Sequence, residues 1–282
     1  MSAMILSGKT MAAELAEQQA ARADTLRLNG VRPSLAVIMV GEDPASALYV
    51  RNKERACERA GILSQVIRMP ADTAQEALHA QIDALNVDPL VHGILIQLPL
   101  PRQLNESAAL ARVRAAKDVD GFHVINAGHL LQGEPTVLPC TPQGILYMLK
   151  KGRVPLDGAH AVVVGRSNIV GKPLAMLLLR ENCTVTVCHS HTRDLASMTR
   201  QADILVAAAG RPRLIGAEMV KPGAAVIDVG INREEGKLCG DVDFDAVAAK
   251  VGWITPVPGG VGPMTVAMLM ENTLEAACRA SR

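Results

Sequence analysis

Short apolar runs that alternate with helical patterns recur along most of this sequence, and they restrict the fold more than any other feature. Eight such runs can be counted, at residues 35–41, 62–69, 91–98, 161–165, 184–188, 203–208, 224–229 and 252–255. Continuous apolar runs separated by helices are typical of parallel strands joined by right-handed crossovers. The alternation therefore predicts an α/β fold built on parallel sheets.

The length of the chain and a break in its periodicity predict two domains. A chain of 282 residues is long for a single hydrophobic core. Regular spacing is lost between residues 122 and 139, and the alternation of strands and helices starts again beyond this segment. We predict a first α/β domain of residues 1–138 that is completed by a C-terminal helix at 265–282. Residues 139–264 are predicted to form a second domain of the doubly wound, Rossmann type.

The composition argues against several classes of protein. A formal net charge of +1 gives no electrostatic reason to expect a nucleic acid or an anionic membrane as partner. The six cysteines lack C-x-x-C spacing, so we predict reduced thiols and no metal site. No apolar run approaches the roughly 20 residues that span a bilayer, and no leader pattern opens the sequence. These features predict a cytoplasmic protein.

A helix after the first run carries two polar residues on one face. Asp43 is a suitable N-cap, Pro44 suits the first helical turn, and Gly61 is a suitable C-terminal stop. Tyr49 and Lys53 are four residues apart and therefore share a face of this helix, which starts at the carboxyl end of a strand, where α/β sheets bind ligands. An amphipathic surface helix with a solvated lysine is the alternative interpretation of the same spacing.

The turn after residues 161–165 has the features of a nucleotide-binding loop. Gly165, Ser167 and Gly171 give the spacing G-x-S-x-x-x-G between a strand and a helix. A glycine allows the tight turn, and the N-terminus of the helix offers free N–H groups to a pyrophosphate. Because the spacing departs from G-x-G-x-x-G, an ordinary turn between strand and helix remains the alternative.

The residues after the next strand favour NADP over NAD. NAD-binding domains place a carboxylate near this point to hold the ribose 2′-hydroxyl. Here the strand is followed by His189, Ser190 and His191, and the first carboxylate is Asp194. Arg166 and Ser190 could bind a 2′-phosphate, and the histidines could assist or could be solvated loop residues.

Three further polar or flexible segments follow strands or interrupt the periodicity. Gln97 ends a strand, Asp118 and Asp120 lie in a turn, and residues 258–262 form a Gly-rich loop. Each has a structural interpretation, namely a strand-end cap, turn chemistry and a sharp change of direction. Gln97 and the Gly-rich loop are equally compatible with a side chain or backbone that faces a ligand.

Five motifs together resemble one family over essentially the whole chain. They are Tyr49-x-x-x-Lys53 and the segments 96–101, 117–122, 164–173 and 258–266, in the order and spacing of that family. The chain resembles the bifunctional methylenetetrahydrofolate dehydrogenase/methenyltetrahydrofolate cyclohydrolase family of the FolD type. The resemblance implies an NADP-dependent oxidation of 5,10-methylenetetrahydrofolate to the 5,10-methenyl compound, followed by hydrolysis to 10-formyltetrahydrofolate.

The resemblance also implies roles for individual residues. Catalytic roles are implied for Lys53, Tyr49, Gln97 and Asp120. These four side chains would also bind the folate, together with Leu98, Pro258, Gly259, Gly260, Val261 and Gly262. NADP would contact Gly165, Arg166, Ser167, Ser190 and Ile231.

The family further implies a homodimer joined through its nucleotide domains, a cleft between the domains as active site, and a folate substrate that can carry a polyglutamate tail. Two alternatives remain open, a monofunctional dehydrogenase and a non-catalytic folate-binding protein. Short-chain dehydrogenases also use a Y-x-x-x-K motif, but there the glycine-rich loop comes first. Here Tyr49 precedes Gly165, so we exclude that class.

Overall fold

The structure is a computed structural model that describes residues 3–134 and 136–281. The chain divides into two compact units. The N-terminal unit comprises Ala13–Cys140 and the segment from Val266 onward, and the C-terminal unit comprises Thr141–Thr265 and the segment that ends at Ala12. The ends of the predicted domains, residues 1 and 282, lie outside the described residues.

The first described residues of the chain belong to a different unit from the one that we predicted. We assigned residues 1–138 to the first domain, whereas the segment that ends at Ala12 belongs to the C-terminal unit. The reason is a short strand, β1 (Met4–Ile5), which pairs in parallel with β11 (Trp253–Ile254) of that unit. A strand of two residues is too short to leave a periodic signal in the sequence.

The N-terminal unit alternates strands and helices as predicted. Its elements are α1 (Gly8–Leu28), which starts in the other unit, β2 (Ser34–Val40), α2 (Pro44–Ala60), β3 (Leu63–Met69), α3 (Gln75–Val87), β4 (Gly93–Ile96), α4 (Glu106–Arg112) and α5 (Val124–Gln132). The three strands form a parallel sheet in the order β3-β2-β4. The chain runs outward from β2 to β3 and then returns to β4, so the carboxyl ends of β2 and β4 flank a topological switch point, where such sheets bind ligands.

The core of this unit follows the predicted periodicities. Every residue of β2 is buried, as expected for a strand in the middle of a parallel sheet. α3 covers the sheet with Leu78, Ile82 and Leu85, which recur at helical spacing and are all buried. The site residues described below therefore lie on a well-packed support.

Part of the segment 122–139, in which regular spacing is lost, is nevertheless helical. The helix α5 occupies Val124–Gln132. Its N-cap is His123, whose Nδ1 accepts from the backbone N–H of Ile125 at 3.2 Å, and Gly133 ends it with φ 78°. Histidine is a rare N-cap, and only Asn126 and Leu130 of the helix are buried, so both the cap and the apolar stripe were weak signals.

The C-terminal unit has a six-stranded parallel sheet in the order β1-β11-β8-β7-β5-β6. Its further elements are α6 (Cys140–Lys151), whose first residue belongs to the other unit, β5 (His160–Val164), α7 (Gly171–Arg180), β6 (Thr184–Cys188), α8 (Leu195–Thr199), β7 (Ile204–Ala207), β8 (Ala225–Asp228), β9 (Asn232–Glu234), β10 (Lys237–Cys239), α9 (Phe244–Ala248) and α10 (Val261–Ala280), which ends in the other unit. The side-by-side order of β6, β5, β7 and β8 confirms the predicted doubly wound fold.

The Gly-rich segment 258–262 is a loop over fewer residues than we predicted. α10 begins at Val261, inside this stretch. Pro263 is tolerated because it lies in the first turn, where backbone N–H groups have no partner within the helix. Among the described helices, none is long and apolar enough to cross a membrane.

Candidate active site

The helix α2 carries Tyr49 and Lys53 and has the predicted ends. The Asp43 carboxylate accepts from the backbone N–H of Ser46 at 2.7 Å, and Gly61 ends the helix in the left-handed conformation with φ 69°. The helix follows the carboxyl end of β2, at the switch point of the sheet. Tyr49 is 48% exposed, and Lys53 lies one turn further along the helix and is half-buried.

Lys53 is held by Gln97 from the end of the neighbouring strand. The Lys53 Nζ donates to Gln97 Oε1 at 2.9 Å, and Gln97 Nε2 donates to the carbonyl of Leu98 at 2.7 Å. The second bond turns the amide so that its oxygen faces the lysine. Gln97 is 8% exposed, so this pair is built into the unit and is not a solvated surface contact.

A tight turn brings acidic groups to the same place. The buried Asp118 accepts from the backbone N–H of His123 at 2.8 Å and from Asn126 Nδ2 at 2.9 Å, so it fixes the turn. Gly121 then adopts φ 75°, and a Cβ there would lie 2.6 Å from the backbone nitrogen of Pro139. Asp118 is thus occupied in structural bonds, whereas Asp120 lies close enough to Lys53 to act on its charge.

Burial shifts the pKa values of Lys53 and Asp120 in this cluster toward neutrality. Burial lowers the pKa of Lys53 below its ordinary value, and the carboxylate of Asp120 acts in the opposite direction. Burial likewise raises the pKa of Asp120 to about 6, while the charge of Lys53 opposes that shift. A lysine with a lowered pKa and a nearby acid of raised pKa are the groups that can exchange protons near neutral pH.

Two residues of this cluster were missed by sequence reasoning. The thiol of Cys140 is 2% exposed and donates to the carbonyl of Val119 at 3.3 Å, and burial raises its pKa well above the ordinary value. Asn272 of α10 donates its side-chain amide to the carbonyls of Val119 at 2.8 Å and Leu138 at 2.9 Å. The one available signal was a polar residue on the apolar face of the last helix.

The two glycines of the predicted nucleotide loop in the C-terminal unit have no room for a side chain. Gly165 follows β5 with φ 138°, and an added Cβ would collide with the carbonyl oxygen of Ala208. A Cβ on Gly171 would collide with the carbonyl oxygen of Gly165. Ser167 Oγ accepts from the backbone N–H of Val170 at 3.1 Å just before α7 begins. This cradle of bare backbone at a helix N-terminus fits a pyrophosphate.

The other predicted cofactor residues follow the carboxyl ends of neighbouring strands. Arg166 follows β5, Ser190 follows β6 and Ile231 follows β8, and all three are exposed. His189 and His191 lie beside Ser190 with ring centroids 5.9 Å apart. The backbone N–H of His191 donates to His189 Nδ1 at 3.1 Å. No carboxylate of this loop occupies the place that holds a ribose 2′-hydroxyl in NAD-binding domains.

Two buried acids behind these loops were also missed. Asp228 at the end of β8 is 3% exposed, and Asp241 is completely buried. Burial raises the pKa of Asp228 to about 6, although the backbone N–H groups of Asp241, Val242 and Gly230 lower it. A lone acid within the apolar run 224–229 was the signal for Asp228.

The Gly-rich loop 258–262 belongs to the C-terminal unit and presents mostly backbone. Gly259 has φ 100°, and its carbonyl accepts from the backbone N–H of Lys9 at 3.0 Å. A Cβ on Gly260 would collide with the carbonyl oxygen of Pro256. The candidate residues therefore form two groups, one in each unit. Among residues 3–134 and 136–281, no cluster of three or more His, Cys, Asp or Glu side chains is arranged to hold a metal ion.

Comparisons with known proteins identify one family for both parts of the chain. Two family models match, described as "Tetrahydrofolate dehydrogenase/cyclohydrolase, catalytic domain" over residues 6–120 and "NAD(P)-binding domain" of the same family over residues 139–281. A relative from Bordetella avium named "Bifunctional protein FolD" is 59% identical over 280 residues, which are 99% of each chain.

Solved structures give the same result. The bifunctional FolD enzyme of Campylobacter jejuni superimposes with a TM-score of 0.97 at 48% identity, over 99% of each chain. The methylenetetrahydrofolate dehydrogenase-cyclohydrolase (FolD) of Trypanosoma brucei was solved in complex with NADP cofactor and inhibitor. It superimposes with a TM-score of 0.94 at 38% identity, over 100% of this chain and 99% of that one.

Proposed function

This chain belongs to the tetrahydrofolate dehydrogenase/cyclohydrolase family, and from that premise we propose that Lys53 is the acid–base residue of its hydrolytic reaction. The chain is an enzyme with both activities of the family, an oxidoreductase and a hydrolase of one-carbon metabolism. It oxidises 5,10-methylenetetrahydrofolate with NADP to 5,10-methenyltetrahydrofolate, which it then hydrolyses to 10-formyltetrahydrofolate.

The oxidation does not require an acid or base group of the protein. Loss of hydride from the methylene carbon leaves a cation that is delocalised over two nitrogens, so the substrate itself stabilises the product. When bound, NADP supplies the hydride acceptor. The task of the protein is therefore alignment. We assign that task to the cradle of Gly165, Ser167 and the start of α7, with Arg166 and Ser190 placed to bind a 2′-phosphate and Ile231 to contact the cofactor.

The hydrolysis needs proton transfer. Water must lose a proton as it adds to the methenyl carbon. As the ring opens, the new hydroxyl group loses its proton to become the formyl C=O and a ring nitrogen gains a proton, so one proton is released overall. A lysine can take the first proton only if its pKa falls toward neutrality, which burial produces. The observation that carries the assignment is the bond from the half-buried Lys53 to Gln97, in a site where burial lowers the pKa of the lysine.

The neighbours of Lys53 receive supporting roles. Gln97 holds the ammonium group in one direction, and Leu98 follows it at the strand end. Tyr49, exposed one turn before Lys53, offers a ring against which the flat folate can lie. Asp120 is proposed to accept hydrogen bonds from the pterin ring. The backbone of residues 258–262 is proposed to line the folate pocket, where it can approach a ligand closely.

Replacement of Asp120 by asparagine is expected to change two measurable quantities. The KM for the folate should rise about tenfold, because a hydrogen bond to a charged acceptor is lost. Since the Asp120 carboxylate raises the pKa of Lys53, its removal should lower that pKa. The rate of hydrolysis rises with pH as the lysine becomes neutral, so this ascending limb should move to lower pH. Cyclohydrolase rates across a pH series measure it, and an unmoved limb contradicts the coupling.

Arg166→Ala is expected to weaken the binding of NADP and not that of NAD. The KM for NADP should rise about tenfold or more because the 2′-phosphate loses a charged partner, whereas any activity with NAD should change little. The exposed Arg180 at the other end of α7 is the matched control, and Arg180→Ala should leave both values as in the wild type. Equal losses with NADP and NAD would show that Arg166 does not read the 2′-phosphate.

The assay for the proposed function follows the absorbance of the methenyl compound. With 5,10-methylenetetrahydrofolate, absorbance should appear only with a nucleotide and faster with NADP than with NAD. With the methenyl compound as substrate, absorbance should decay without any nucleotide. A monofunctional dehydrogenase would fail the second test, and a non-catalytic binding protein would fail both. The presence of both Lys53 and Gln97 argues against these alternatives.

Three further expectations rest on family membership alone. We propose a homodimer joined through the nucleotide-binding units, which sedimentation equilibrium at several concentrations tests. A polyglutamate tail on the folate and a location in the cytoplasm also remain proposals. Comparison of KM values for mono- and polyglutamylated substrate addresses the former, and fractionation of cells addresses the latter.

A further inference from the structure

A completely buried carboxylate joins two loops at the carboxyl edge of the nucleotide-binding sheet. Asp241 Oδ2 accepts from the backbone N–H groups of Ala209 at 2.6 Å and Gly210 at 2.8 Å. Its other oxygen, Oδ1, accepts from Asn232 Nδ2 at 2.8 Å. Asp241 is 0% exposed, so these donors are its partners in place of water.

The two loops follow adjacent strands of the sheet. Ala209 and Gly210 lie two and three residues beyond the end of β7. Asn232 comes after β8 and is the next residue after Ile231. The strand β7 lies beside β5, which carries the Gly165 cradle. The carboxyl ends of these strands form the edge at which doubly wound sheets bind their nucleotide. Asp241 therefore connects two loops at the edge of the sheet where the cofactor is proposed to bind.

A second acid holds Asp241 itself. Asp228 Oδ1 accepts from the backbone N–H of Asp241 at 2.8 Å and from that of Gly230 at 2.9 Å. A Cβ on Gly230 would collide with Asp241 Oδ1, and a Cβ on Gly240 would collide with the Asp228 carboxylate. The backbone is thus closed around both carboxylates, and little freedom remains for either one to reorient.

We propose that Asp241 is a positioning residue for cofactor binding, which sets the loop after β7 and the loop containing Ile231 at the heights that NADP requires. It touches neither the reacting atoms nor, in this arrangement, the cofactor. The proposal rests on the proposed function, because it assumes that NADP binds at this edge. Asp241 would thus support cofactor binding through two loops, whereas Gly165, Arg166, Ser167, Ser190 and Ile231 are proposed to contact the cofactor directly.

A carboxylate is the one side chain of this size that can accept all three hydrogen bonds. An asparagine in its place would turn an NH₂ group toward either the two backbone N–H groups or the amide of Asn232. In the first orientation, donors face donors inside the protein. In the second, the Asn232 amide must turn over so that its oxygen accepts from the new NH₂ group. In either case the contact with one loop changes, and that loop is expected to shift. Buried unpaired donors are costly, so the shift is the expected response.

The test is Asp241→Asn, with both activities measured in the same preparation. The KM for NADP should rise about tenfold or more, with a smaller change in dehydrogenase kcat. Cyclohydrolase activity without nucleotide should stay near the wild-type value, because Lys53 and Gln97 belong to the other unit. A variant that was merely less stable would lose both activities together.

Asp203→Asn is the matched control. Asp203 accepts from the backbone N–H of His160 at 2.9 Å and from Lys221 Nζ at 2.5 Å, in the same unit but at the opposite, amino edge of the sheet. Its replacement also removes a carboxylate that accepts hydrogen bonds, yet the KM for NADP should not change. An equal rise in KM in both variants would contradict a specific role for Asp241.

A second variant covers the case in which Asp241→Asn does not fold. Asn232→Ala removes one of the hydrogen bonds of Asp241 and leaves its backbone bonds in place. It should raise the KM for NADP in the same direction by a smaller factor. Wild-type protein without NADP-dependent oxidation would refute the proposed function. Active wild type together with an unchanged KM in the soluble variants would refute the role of Asp241 alone.

Discussion

Lys53→Met is expected to lower the rate of methenyltetrahydrofolate hydrolysis by about 100-fold or more, the range that a positioned acid–base group contributes. Methionine keeps the unbranched shape of the side chain but can neither accept nor donate the proton. Oxidation of the methylene compound with NADP should fall much less, because hydride transfer depends on alignment and not on an exchangeable proton. The decay of methenyl absorbance without nucleotide measures the first rate, and NADPH formation measures the second.

Lys53→Arg separates proton transfer from charge. The guanidinium group is always protonated in proteins, so it preserves the positive charge beside Gln97 but cannot serve as a base. This variant should therefore hydrolyse the methenyl compound as poorly as Lys53→Met. Full cyclohydrolase turnover in either variant would contradict the assignment of Lys53.

Gly165→Ala is expected to remove most of the NADP-dependent oxidation. The added Cβ would collide with the carbonyl oxygen of Ala208, and φ 138° is unfavourable for any residue with a Cβ. The cradle must then move away from the pyrophosphate position, and a displacement of about 1 Å can lower a rate by about 100-fold. Nucleotide-free hydrolysis should remain, because the proposed acid–base residue Lys53 and its partner Gln97 belong to the other unit.

Gly158→Ala is the matched control for the backbone strain alone. Gly158 belongs to the same unit and also has a positive φ, 73°, but no atom lies within 4 Å of the position of an added Cβ. It precedes β5, whereas Gly165 follows it. Gly158→Ala should lower the stability somewhat and leave the KM for NADP unchanged. A loss of oxidation as large as that of Gly165→Ala would show that strain, and not the cradle, explains the effect.

Features that depend on local sequence were predictable. The ends of α2 follow from the capping side chain of Asp43 and from the freedom of Gly61 to adopt φ 69°. The parallel sheets follow from apolar runs such as β2, which is buried along its whole length. The spacing of Tyr49 and Lys53 on α2 likewise follows from helical geometry, although neither residue by itself indicates a function.

Features that depend on distant parts of the chain were not predictable from pattern. Asn272 lies 153 positions after Val119, whose carbonyl it binds, and nothing near either residue indicates the contact. Asp241 is an ordinary acid in sequence, and its burial becomes evident only when the loops after β7 and β8 are seen around it. The cap of α5 by His123 falls outside the usual choice of capping residues. The features that the sequence did not predict are therefore tertiary contacts and a rare helix cap.

A mixture of two variants tests whether one chain carries two separable reactions. Lys53→Met should form the methenyl compound with NADP and stop there, while Gly165→Ala should hydrolyse the methenyl compound but not form it. Once each variant has been shown to retain its own step, the two are mixed with 5,10-methylenetetrahydrofolate and NADP. In the mixture, 10-formyltetrahydrofolate should appear well above the rate of either variant alone and of an enzyme-free blank. A mixture no faster than Lys53→Met alone would contradict the separability of the two reactions.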